Sequence, residues 1–494
     1  MVSESTPASS APPSSTTSYC STRGGAKGVS FEDVVLGGLA EDRGLYVPEE
    51  LPSVSSQELA EWSKLSFPEL AFKVMSKYIS TEEIPSDDLL DLCKRSAVNF
   101  RTEEVTPVVR VGGAWILELF HGPTFAFKDV ALQFLGNLFE YFLLRRRRKG
   151  EEAELTILGA TSGDTGSAAI YGLRGKAHVN CFIMFPEGRV SEIQERQMTT
   201  VPDSNIHCVS VAGSFDDCQD IVKAAFADKP FRDEVKLGAV NSINWARVLA
   251  QMTYYFWAHF RVSEDLEAAG EPLGEGVGLS FSVPTGNFGD VLAGYYAKRM
   301  GLPMDKLVVA VNENDILHRF FSTGKYWREG VVPTMAPSMD ICVSSNFERY
   351  LFHLAGDDGE VLAGWLKGFE ATGKLTLDGE LLEQAQSTFS SSKVVTEDNL
   401  ATIKSFWDEQ GYLLCPHSSV GARASLQLGM PEGRAVVLAT AHPAKFPDAV
   451  KKVVEDLPPA PEALQVLWDL PTRSTKMPND LKKVEEFMRE TLKA

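Results

Sequence analysis

The chain has 494 residues, of which 44% are hydrophobic and 23% charged, and its formal net charge is −19. This length exceeds a single compact core and predicts two or three domains, and the composition is typical of a globular protein. The excess of acidic residues argues against binding to nucleic acid or to an anionic membrane, so an anionic ligand would need local positive charge.

Cysteine usage and hydrophobic runs narrow the class of protein further. The seven cysteines show no CxxC spacing, which argues against a disulfide framework or a structural zinc site. This favours a reducing compartment, and we predict a cytoplasmic protein. No stretch of about 18 apolar residues could span a bilayer, and the N-terminus lacks the apolar core of a secretory signal. Residues 1–18 are rich in Ser, Thr and Pro and are predicted to form a disordered tail.

After this tail, helical patterns run from about Gln57 to Phe100 and indicate an N-terminal domain. From about residue 105 onward, short apolar strands alternate with helical stretches, which predicts parallel sheets with helices on both faces. The strands are predicted in the segments "LTILGAT", "VNCFIMFP", "IHCVSVAG", "GLSFSVPTG", "KLVVAVN" and "AVVLATAHP". Because ligands of open α/β folds bind at the carboxyl ends of strands, the loops after these strands are candidate sites.

One lysine lies in an unusually apolar segment. In "FHGPTFAFKDVALQF" (120–134), Lys128 stands among aromatic and apolar neighbours where a helical pattern begins. A lysine buried in such surroundings must find a partner, lose its proton or become covalently modified, because an unpaired buried ammonium is costly. The rest of the sequence has to decide among these possibilities.

Three strand ends carry segments that could meet such a lysine. In "SVPTGNFGD", Gly286 to Asp290 join a strand to a helix, and backbone N–H groups at that helix start could hold a phosphate. In "LGATSGDTG", the hydroxyls of Ser162 and Thr165 suit a carboxylate or a phosphate. In "AVVLATAHP", Thr440 ends a strand and could meet a buried heteroatom. Each of these segments, taken alone, could also be a capped turn without a ligand.

Together, the lysine and the three strand ends predict a pyridoxal 5′-phosphate site. An apolar environment lowers the pKa of a lysine, so Lys128 could form a Schiff base with the cofactor while the glycine loop holds its phosphate. The eight histidines form no recognisable metal-binding pair, so no metal is expected.

Several segments resemble threonine synthase of the long form that is typical of fungi and many bacteria. They are "YCSTRGG", "HGPTFAFKD", "GATSGDTGSAA", "PEGRVSEIQERQM", "NSINWAR", "PTGNFGD" and "TAHPAKFPD", and they follow the expected order over about residues 19 to 450. The resemblance implies an α/β protein of fold-type II among the pyridoxal-phosphate enzymes, similar to the tryptophan synthase β subunit. In that fold the cofactor lies between two α/β domains with parallel sheets, and here an N-terminal extension domain is added.

The resemblance also suggests how the chain divides into domains. After the tail, we expect an N-terminal domain over residues 19–104 and a large cofactor-binding domain formed by residues 105–128 and 230–470. Residues 129–229 would form a small α/β domain, and residues 471–494 a C-terminal helix.

Carried over position by position, the resemblance assigns the residues that would bind the cofactor. Lys128 would be the catalytic residue and would carry the cofactor as a Schiff base. Thr440 would hydrogen-bond the pyridine nitrogen. The cofactor phosphate would be held by Gly286, Asn287, Phe288 and Asp290.

The residues implied for the substrate form a second group. The "TSGDTG" loop would receive the α-carboxylate or the phosphate of the substrate, with Ser162 and Thr165 as donors. An anion pocket would be completed by Ser191, Arg196, Asn241 or Asn244, and Arg247. Two arginines near these loops could supply the positive field that a phosphorylated substrate needs, although each could also be a surface residue.

The resemblance implies a lyase that converts O-phospho-L-homoserine and water to L-threonine and phosphate, the last step of threonine biosynthesis. Lys128 would act first as a general base and later as a general acid. One alternative is a threonine-synthase-like phospholyase that releases 2-oxobutanoate, ammonia and phosphate. Another is a catalytically silent protein that binds the cofactor. The sequence leaves the oligomeric state open between monomer and homodimer.

Overall fold

The computed structural model describes residues 17–274 and 277–493 of the chain. The predicted disordered tail over residues 1–18 therefore lies almost entirely outside the described residues. No helix in the described part of the chain is both long and apolar enough to cross a membrane.

The strands are β1 (Tyr19–Ser21), β2 (Tyr46–Pro48), β3 (Val108–Val111), β4 (Ala114–Glu118), β5 (Leu155–Ala160), β6 (Val179–Pro186), β7 (Ile206–Ala212), β8 (Leu237–Gly238), β9 (Leu279–Pro284), β10 (Met304–Val311), β11 (Lys325–Trp327), β12 (Lys374–Thr376), β13 (Phe389–Lys393), β14 (Ala435–Ala439) and β15 (Thr475–Pro478). The six apolar segments predicted to be strands coincide with β5, β6, β7, β9, β10 and β14, so that prediction is confirmed.

The helices are α1 (Phe31–Gly37), α2 (Ser56–Trp62), α3 (Phe67–Met75), α4 (Ser86–Ala97), α5 (Lys128–Arg148), α6 (Asp164–Leu173), α7 (Glu192–Thr199), α8 (Phe215–Ala227), α9 (Lys229–Glu234), α10 (Trp245–Ala268), α11 (Gly289–Arg299), α12 (Ile316–Thr323), α13 (Phe347–Leu354), α14 (Gly359–Thr372), α15 (Glu380–Thr388), α16 (Thr396–Gln410), α17 (Pro416–Gln427), α18 (Pro447–Val450), α19 (Glu462–Gln465) and α20 (Leu481–Lys493). A short 3-10 helix, Pro443–Lys445, follows β14.

The larger sheet has the strand order β13-β10-β9-β14-β4-β3. Its pairs are parallel except for β3 and β4, which form an antiparallel hairpin at one edge. Strands β9 and β14 are neighbours and buried on both faces, which explains their continuous apolar sequences. Their carboxyl ends therefore bring the loop after Pro284 and the loop after Ala439 to the same edge of the sheet.

The smaller sheet has the strand order β15-β7-β6-β5-β8, and all of its pairs are parallel. Strand pairing extends this sheet beyond the segment 129–229 expected from the sequence, because β8 joins one edge and β15 joins the other. The C-terminal segment thus contributes a strand as well as the predicted helix. These two strands were not predicted, because "LG" and "TKMP" are short and lack an apolar pattern.

The N-terminal segment packs around the long central helices. It contains the antiparallel pair of β1 and β2 and the helices α1 to α4, of which α3 contacts α10 and α4 contacts α5. Helix α5 begins at Lys128 and contacts α4 of the N-terminal segment, α6 next to the smaller sheet, and α10. The first residue of α5 is therefore placed where the structural units meet.

Candidate active site

A cavity of about 680 Å³ opens between the carboxyl ends of the two sheets. Its wall includes the loop before α6 from the smaller sheet and the loops before α11 and after β14 from the larger one. Most residues predicted from the sequence line it, namely Lys128, Ser162, Thr165, Asn241, Arg247, Gly286, Asn287, Phe288, Asp290 and Thr440.

Lys128 lies in this wall with little access to solvent. Its side chain is 12% exposed, and Nζ lies 3.8 Å from Asp164 Oδ2. Burial lowers the pKa of Lys128 to about 8, although the Asp164 carboxylate opposes this effect. The amine is therefore far easier to deprotonate than an ordinary lysine, as a covalent or proton-transfer role requires.

The loop before α11 offers backbone donors to the cavity. Phe288 precedes the helix in a left-handed conformation, with φ of 63°, and its ring packs against Phe321 and Phe347. The N–H groups of Gly286, Asn287 and Phe288 donate to no acceptor within the described residues. A Cβ on Gly286 would lie 3.2 Å from the Met339 Cα, so the backbone there is closely packed. Free amides at a helix start are suited to a phosphate.

Asp290, in the first turn of the same helix, does not present its carboxylate to that cradle. Oδ1 accepts hydrogen bonds from the hydroxyls of Tyr254 at 2.6 Å and Tyr255 at 2.9 Å. Burial raises the pKa of Asp290 to about 6, although these hydroxyls favour the ionised form. Any contact between Asp290 and a phosphate would therefore come from its backbone N–H, which the helix dipole supports.

Thr440, directly after β14, contributes a hydroxyl to the same cavity wall. Its carbonyl accepts from Phe127 N at 2.8 Å, and its N–H donates to Ser418 Oγ at 3.0 Å. These bonds tie Thr440 to the residue before Lys128, while its hydroxyl has no partner among the described residues and faces the cavity. A hydroxyl so placed fits a ring nitrogen, and with the amide cradle and Lys128 it fits pyridoxal phosphate.

The loop before α6 is organised differently from the loop before α11. Thr161 Oγ1 accepts from Gly163 N at 2.9 Å and from Gly166 N at 2.8 Å, so two of its amides are already engaged. Ser162 and Thr165 lie on the cavity side. Gly163 adopts φ of 140°, and a Cβ there would lie 2.4 Å from Gln194 Oε1, so this position requires glycine.

Asp164 is the central charged group of this loop, and the sequence reasoning did not single it out. It is buried, and Lys445 Nζ lies 2.6 Å from Oδ1. Gln194 donates to Oδ1 at 2.8 Å, and Ser338 donates to Oδ2 at 3.3 Å. Burial would raise the pKa of Asp164, but the neighbouring lysines hold it well below its usual range, so the group is an anion.

Arg247 is a buried cation that lacks protein partners. It is 3% exposed and lines the cavity, yet its Nε and one terminal nitrogen form no hydrogen bond within the described part of the chain. Burial lowers the pKa of Arg247 to about 10. The Oε1 of Gln251, one helical turn further along the wall, is also without a partner. Buried polar groups are normally satisfied, so the unpartnered Arg247 guanidinium indicates a site for an anionic ligand.

Three residues predicted for the anion pocket lie away from the cavity wall. Ser191 begins α7 and donates to Gln194 Oε1 at 2.8 Å. Arg196 donates to the Leu467 carbonyl at 3.1 Å and covers the Trp468 ring at 4.5 Å. Asn244 caps α10 and donates to the Val35 carbonyl at 2.9 Å, so Asn241 is the asparagine of "NSINWAR" that reaches the wall.

The residues that sequence reasoning missed all surround Asp164. Lys445 in "HPAKFPD" has the same signal as Lys128, a lysine among apolar residues, but it was not considered as a buried group. His417 lines the wall, and its Nε2 accepts from Ser338 N at 3.1 Å. Burial lowers the pKa of His417 to about 4, so the ring is neutral at pH 7. Among the described residues, no cluster of three or more His, Cys, Asp or Glu could hold a metal.

Comparisons with known proteins agree along the length of the chain. The family model "Threonine synthase N terminus" matches residues 18–97, "Pyridoxal-phosphate dependent enzyme" matches 100–375, and "Threonine synthase, C-terminal" matches 418–488. Threonine synthase of Saccharomyces cerevisiae is 50% identical over 470 residues, which cover 90% of either chain. Threonine synthase-like 2 of Homo sapiens is 40% identical over 464 residues, or 93% of either chain.

A solved structure gives the same result for the fold. The crystal structure of pyridoxal-phosphate-bound threonine synthase from Brucella melitensis matches with a TM-score of 0.90 at 44% identity. The match covers 97% of this chain and 100% of that one. The fold-type II architecture expected from the sequence is therefore confirmed.

Proposed function

The chain belongs to the threonine synthase family of pyridoxal-phosphate-dependent lyases, and from this premise we propose how its own residues turn O-phospho-L-homoserine and water into L-threonine and phosphate. One observation carries the proposal. The partly desolvated amine of Lys128 stands in one cavity with a cradle of free amides, the Thr440 hydroxyl and the unpartnered Arg247 guanidinium. Each of these groups has a task in this reaction.

The cofactor would be held by groups of the larger domain. Lys128 would bind it covalently, and the amides of Gly286, Asn287 and Phe288 would receive its phosphate with the support of the α11 dipole. The Asp290 amide would join them. The Thr440 hydroxyl would meet the ring nitrogen, and bound pyridoxal phosphate supplies the electron sink that makes protons on the substrate's α- and β-carbons removable.

Lys128 would move the protons of the reaction. Released by the amino group of the substrate, its amine is neutral in a larger fraction of molecules at physiological pH than the amine of an ordinary lysine, because burial lowers its pKa to about 8. It can therefore accept a proton from carbon and return it at a neighbouring carbon, as a general base and then a general acid. Asp164 Oδ2, 3.8 Å from Nζ, would stabilise the protonated form between these steps.

The substrate carries two anionic groups, and the wall offers two places for them. Arg247 would bind one through its free guanidinium nitrogens, with Asn241 beside it in the wall. Ser162 and Thr165 would bind the other at the start of α6. The Asp164 carboxylate in the same turn disfavours a dianionic phosphate there, so we propose that this loop takes the α-carboxylate and that Arg247 takes the phosphate.

Cellular location and assembly are part of the same proposal. All seven cysteines are free thiols, which supports a reducing compartment such as the cytoplasm. For the assembly, the proposal keeps both a monomer and a homodimer.

A product assay tests the proposed reaction. The purified, cofactor-loaded protein should release phosphate from O-phospho-L-homoserine and form L-threonine in equal amount, as measured by chromatography. Formation of 2-oxobutanoate and ammonia in place of threonine would identify a phospholyase, and an unreacted substrate would indicate a silent binder. Borohydride reduction followed by peptide mapping should fix the cofactor on Lys128, and labelling of another residue would refute the assignment.

A further inference from the structure

A second buried lysine lies beside Lys128. Lys445 ends the short 3-10 helix after β14, and its side chain is fully buried. Its Nζ lies 2.6 Å from Asp164 Oδ1 and donates to the Thr124 carbonyl at 2.8 Å. The reaction proposed above gives Lys445 no task, although burying an ammonium is costly and needs a reason.

The Asp164 carboxylate divides its oxygens between the two lysines. Oδ1 forms the close contact with Lys445 at 2.6 Å, whereas Oδ2 lies 3.8 Å from Lys128 Nζ. Each oxygen also accepts one further hydrogen bond, Oδ1 from Gln194 and Oδ2 from Ser338, and these bonds fix the plane of the carboxylate. Lys445 is therefore the firm partner and Lys128 the loose one. A loosely held ammonium can give up its proton and change partners more easily than one in a close ion pair.

Charged groups from several elements face Lys128. They are Asp164 of α6, Lys445 of the 3-10 helix, Arg247 of α10 and Asp129 of α5, with His417 of α17 near Asp164. The two cations lower the pKa of Lys128, and the two carboxylates raise it. Asp129 is already engaged by the N–H and the hydroxyl of Thr124, and His417 is neutral at pH 7. The balance at Lys128 thus depends mainly on how Asp164 is shared.

We propose that Lys445 is a positioning residue. Its ammonium holds the Asp164 carboxylate in a close ion pair, so that the carboxylate facing Lys128 is always already paired with Lys445. This inference rests on the role proposed above for Lys128. Without Lys445, Lys128 would be the remaining close cation of Asp164 and would lose a repelling neighbour. Both changes favour the protonated form of Lys128, so its pKa would rise and its amine would be a weaker base at pH 7 to 8.

Three substitutions separate charge from shape. Lys445→Met removes the charge and keeps an unbranched side chain, whereas Lys445→Arg keeps the charge. Lys452→Met is the matched control, because Lys452 is exposed on a nearby turn. Competitive acetylation of the full-length, cofactor-free protein at different pH values, followed by peptide mass spectrometry, gives the pH midpoint at which Lys128 becomes reactive.

We expect a midpoint of about 8 for the wild type and for Lys452→Met. Lys445→Met should raise it by about one pH unit, and Lys445→Arg should leave it within about 0.3 unit of the wild type. A midpoint that is unchanged or lower in Lys445→Met, with the fold verified by circular dichroism, would overturn the proposal.

Asp164→Asn tests the same arrangement from the other side if Lys445→Met does not fold. Removing the shared carboxylate should lower the midpoint of Lys128, because the main attracting charge is lost while Lys445 and Arg247 still repel its ammonium, and an unchanged midpoint would also overturn the proposal. Subsequent loading with pyridoxal phosphate and its visible absorbance report whether Lys128 binds the cofactor. A failure of the proposed function is thereby distinguished from a failure of this inference.

Discussion

Two buried arginines on neighbouring elements differ in how their charges are matched. Arg247 begins the cavity wall on α10, and its Nε and one terminal nitrogen have no acceptor. Arg349 of α13 is fully buried and does not line the cavity. Burial lowers the pKa of each of the two guanidinium groups to about 10. In Arg349, however, each of the three guanidinium nitrogens has an acceptor, namely the Tyr46 carbonyl at 2.8 Å, the Asn346 Oδ1 at 2.6 Å and the Ile243 carbonyl at 2.6 Å.

Since Arg247 and Arg349 are both buried but differ in their hydrogen bonds, burial alone does not identify a functional cation. The Arg349 guanidinium, in which every nitrogen has a protein acceptor, fixes the loop around Ile243 and is part of the scaffold. The Arg247 guanidinium, whose unused donors lie at the cavity wall, is available to bind a ligand. The same distinction separates Lys445, which is closely paired with Asp164, from Lys128, which is loosely paired.

We expect the largest effect from the removal of Lys128, the loosely paired lysine. Lys128→Ala should lower turnover by about 10³-fold or more, because both the covalent attachment and the proton transfer are lost. It should also abolish the visible absorbance of the lysine-bound cofactor, as measured by spectrophotometry. Lys451→Ala, at an exposed position, serves as the control and should behave as the wild type. Substantial remaining activity in Lys128→Ala would contradict the assignment.

Removing the satisfied arginine should affect stability. Arg349→Met leaves two buried carbonyls and an asparagine without their donor, and we expect the free energy of unfolding to fall by about 3 kcal/mol. Urea denaturation followed by circular dichroism measures this loss. Arg434→Met is the control, because Arg434 is exposed. If the two variants were equally stable, Arg349 could not be regarded as part of the scaffold.

The unpartnered arginine should show the opposite behaviour. Arg247→Met should lower kcat/KM for O-phospho-L-homoserine by about 30-fold, equivalent to about 2 kcal/mol, mainly through KM. Its unfolding free energy should not fall below that of the wild type, since no protein hydrogen bond of the guanidinium is lost. Steady-state kinetics and urea denaturation together check both expectations. Unchanged kinetics would place the anion pocket elsewhere.

A third arginine gives the smallest expected effect. The family resemblance assigns Arg196 to the substrate, whereas in the structure it contacts the Leu467 carbonyl and the Trp468 ring. Arg196→Ala should therefore keep kcat/KM within about twofold of the wild type and cost about 1 kcal/mol of stability. A tenfold or greater loss of kcat/KM, measured under the same conditions as for Arg247→Met, would favour the assignment based on resemblance.

Features encoded locally could be predicted from the sequence. The six apolar strands were recognised because strands buried on both faces are continuously apolar, and the loops after β5, β9 and β14 follow directly from them. Lys128 could be singled out because its neighbours in the chain are themselves apolar. These signals need no knowledge of what lies opposite in space.

Features that depend on distant contacts could not be predicted in this way. The pairing of Asp164 with Lys445 joins segments far apart in the chain, and the sequence near either residue does not indicate its partner. The segment "NSINWAR" contains two asparagines, and only the fold shows that Asn244 caps α10 while Asn241 faces the cavity. Likewise, β8 and β15 are strands because they pair with the edges of β5 and β7. Their own residues are too few or too polar to predict a strand.

The pairing of β15 with β7 has a consequence for biosynthesis. The small domain completes its sheet with residues near the end of the chain, and Val484 and Met488 of α20 fill the same core as Val209 and Val211. During translation, the edge of β7 and this apolar core therefore stay incomplete until residues 475–488 have been synthesised and have left the ribosome. A stop codon placed just before residue 475 would leave an unpaired strand edge, which favours aggregation and degradation even though the residues of the cavity wall had all been synthesised.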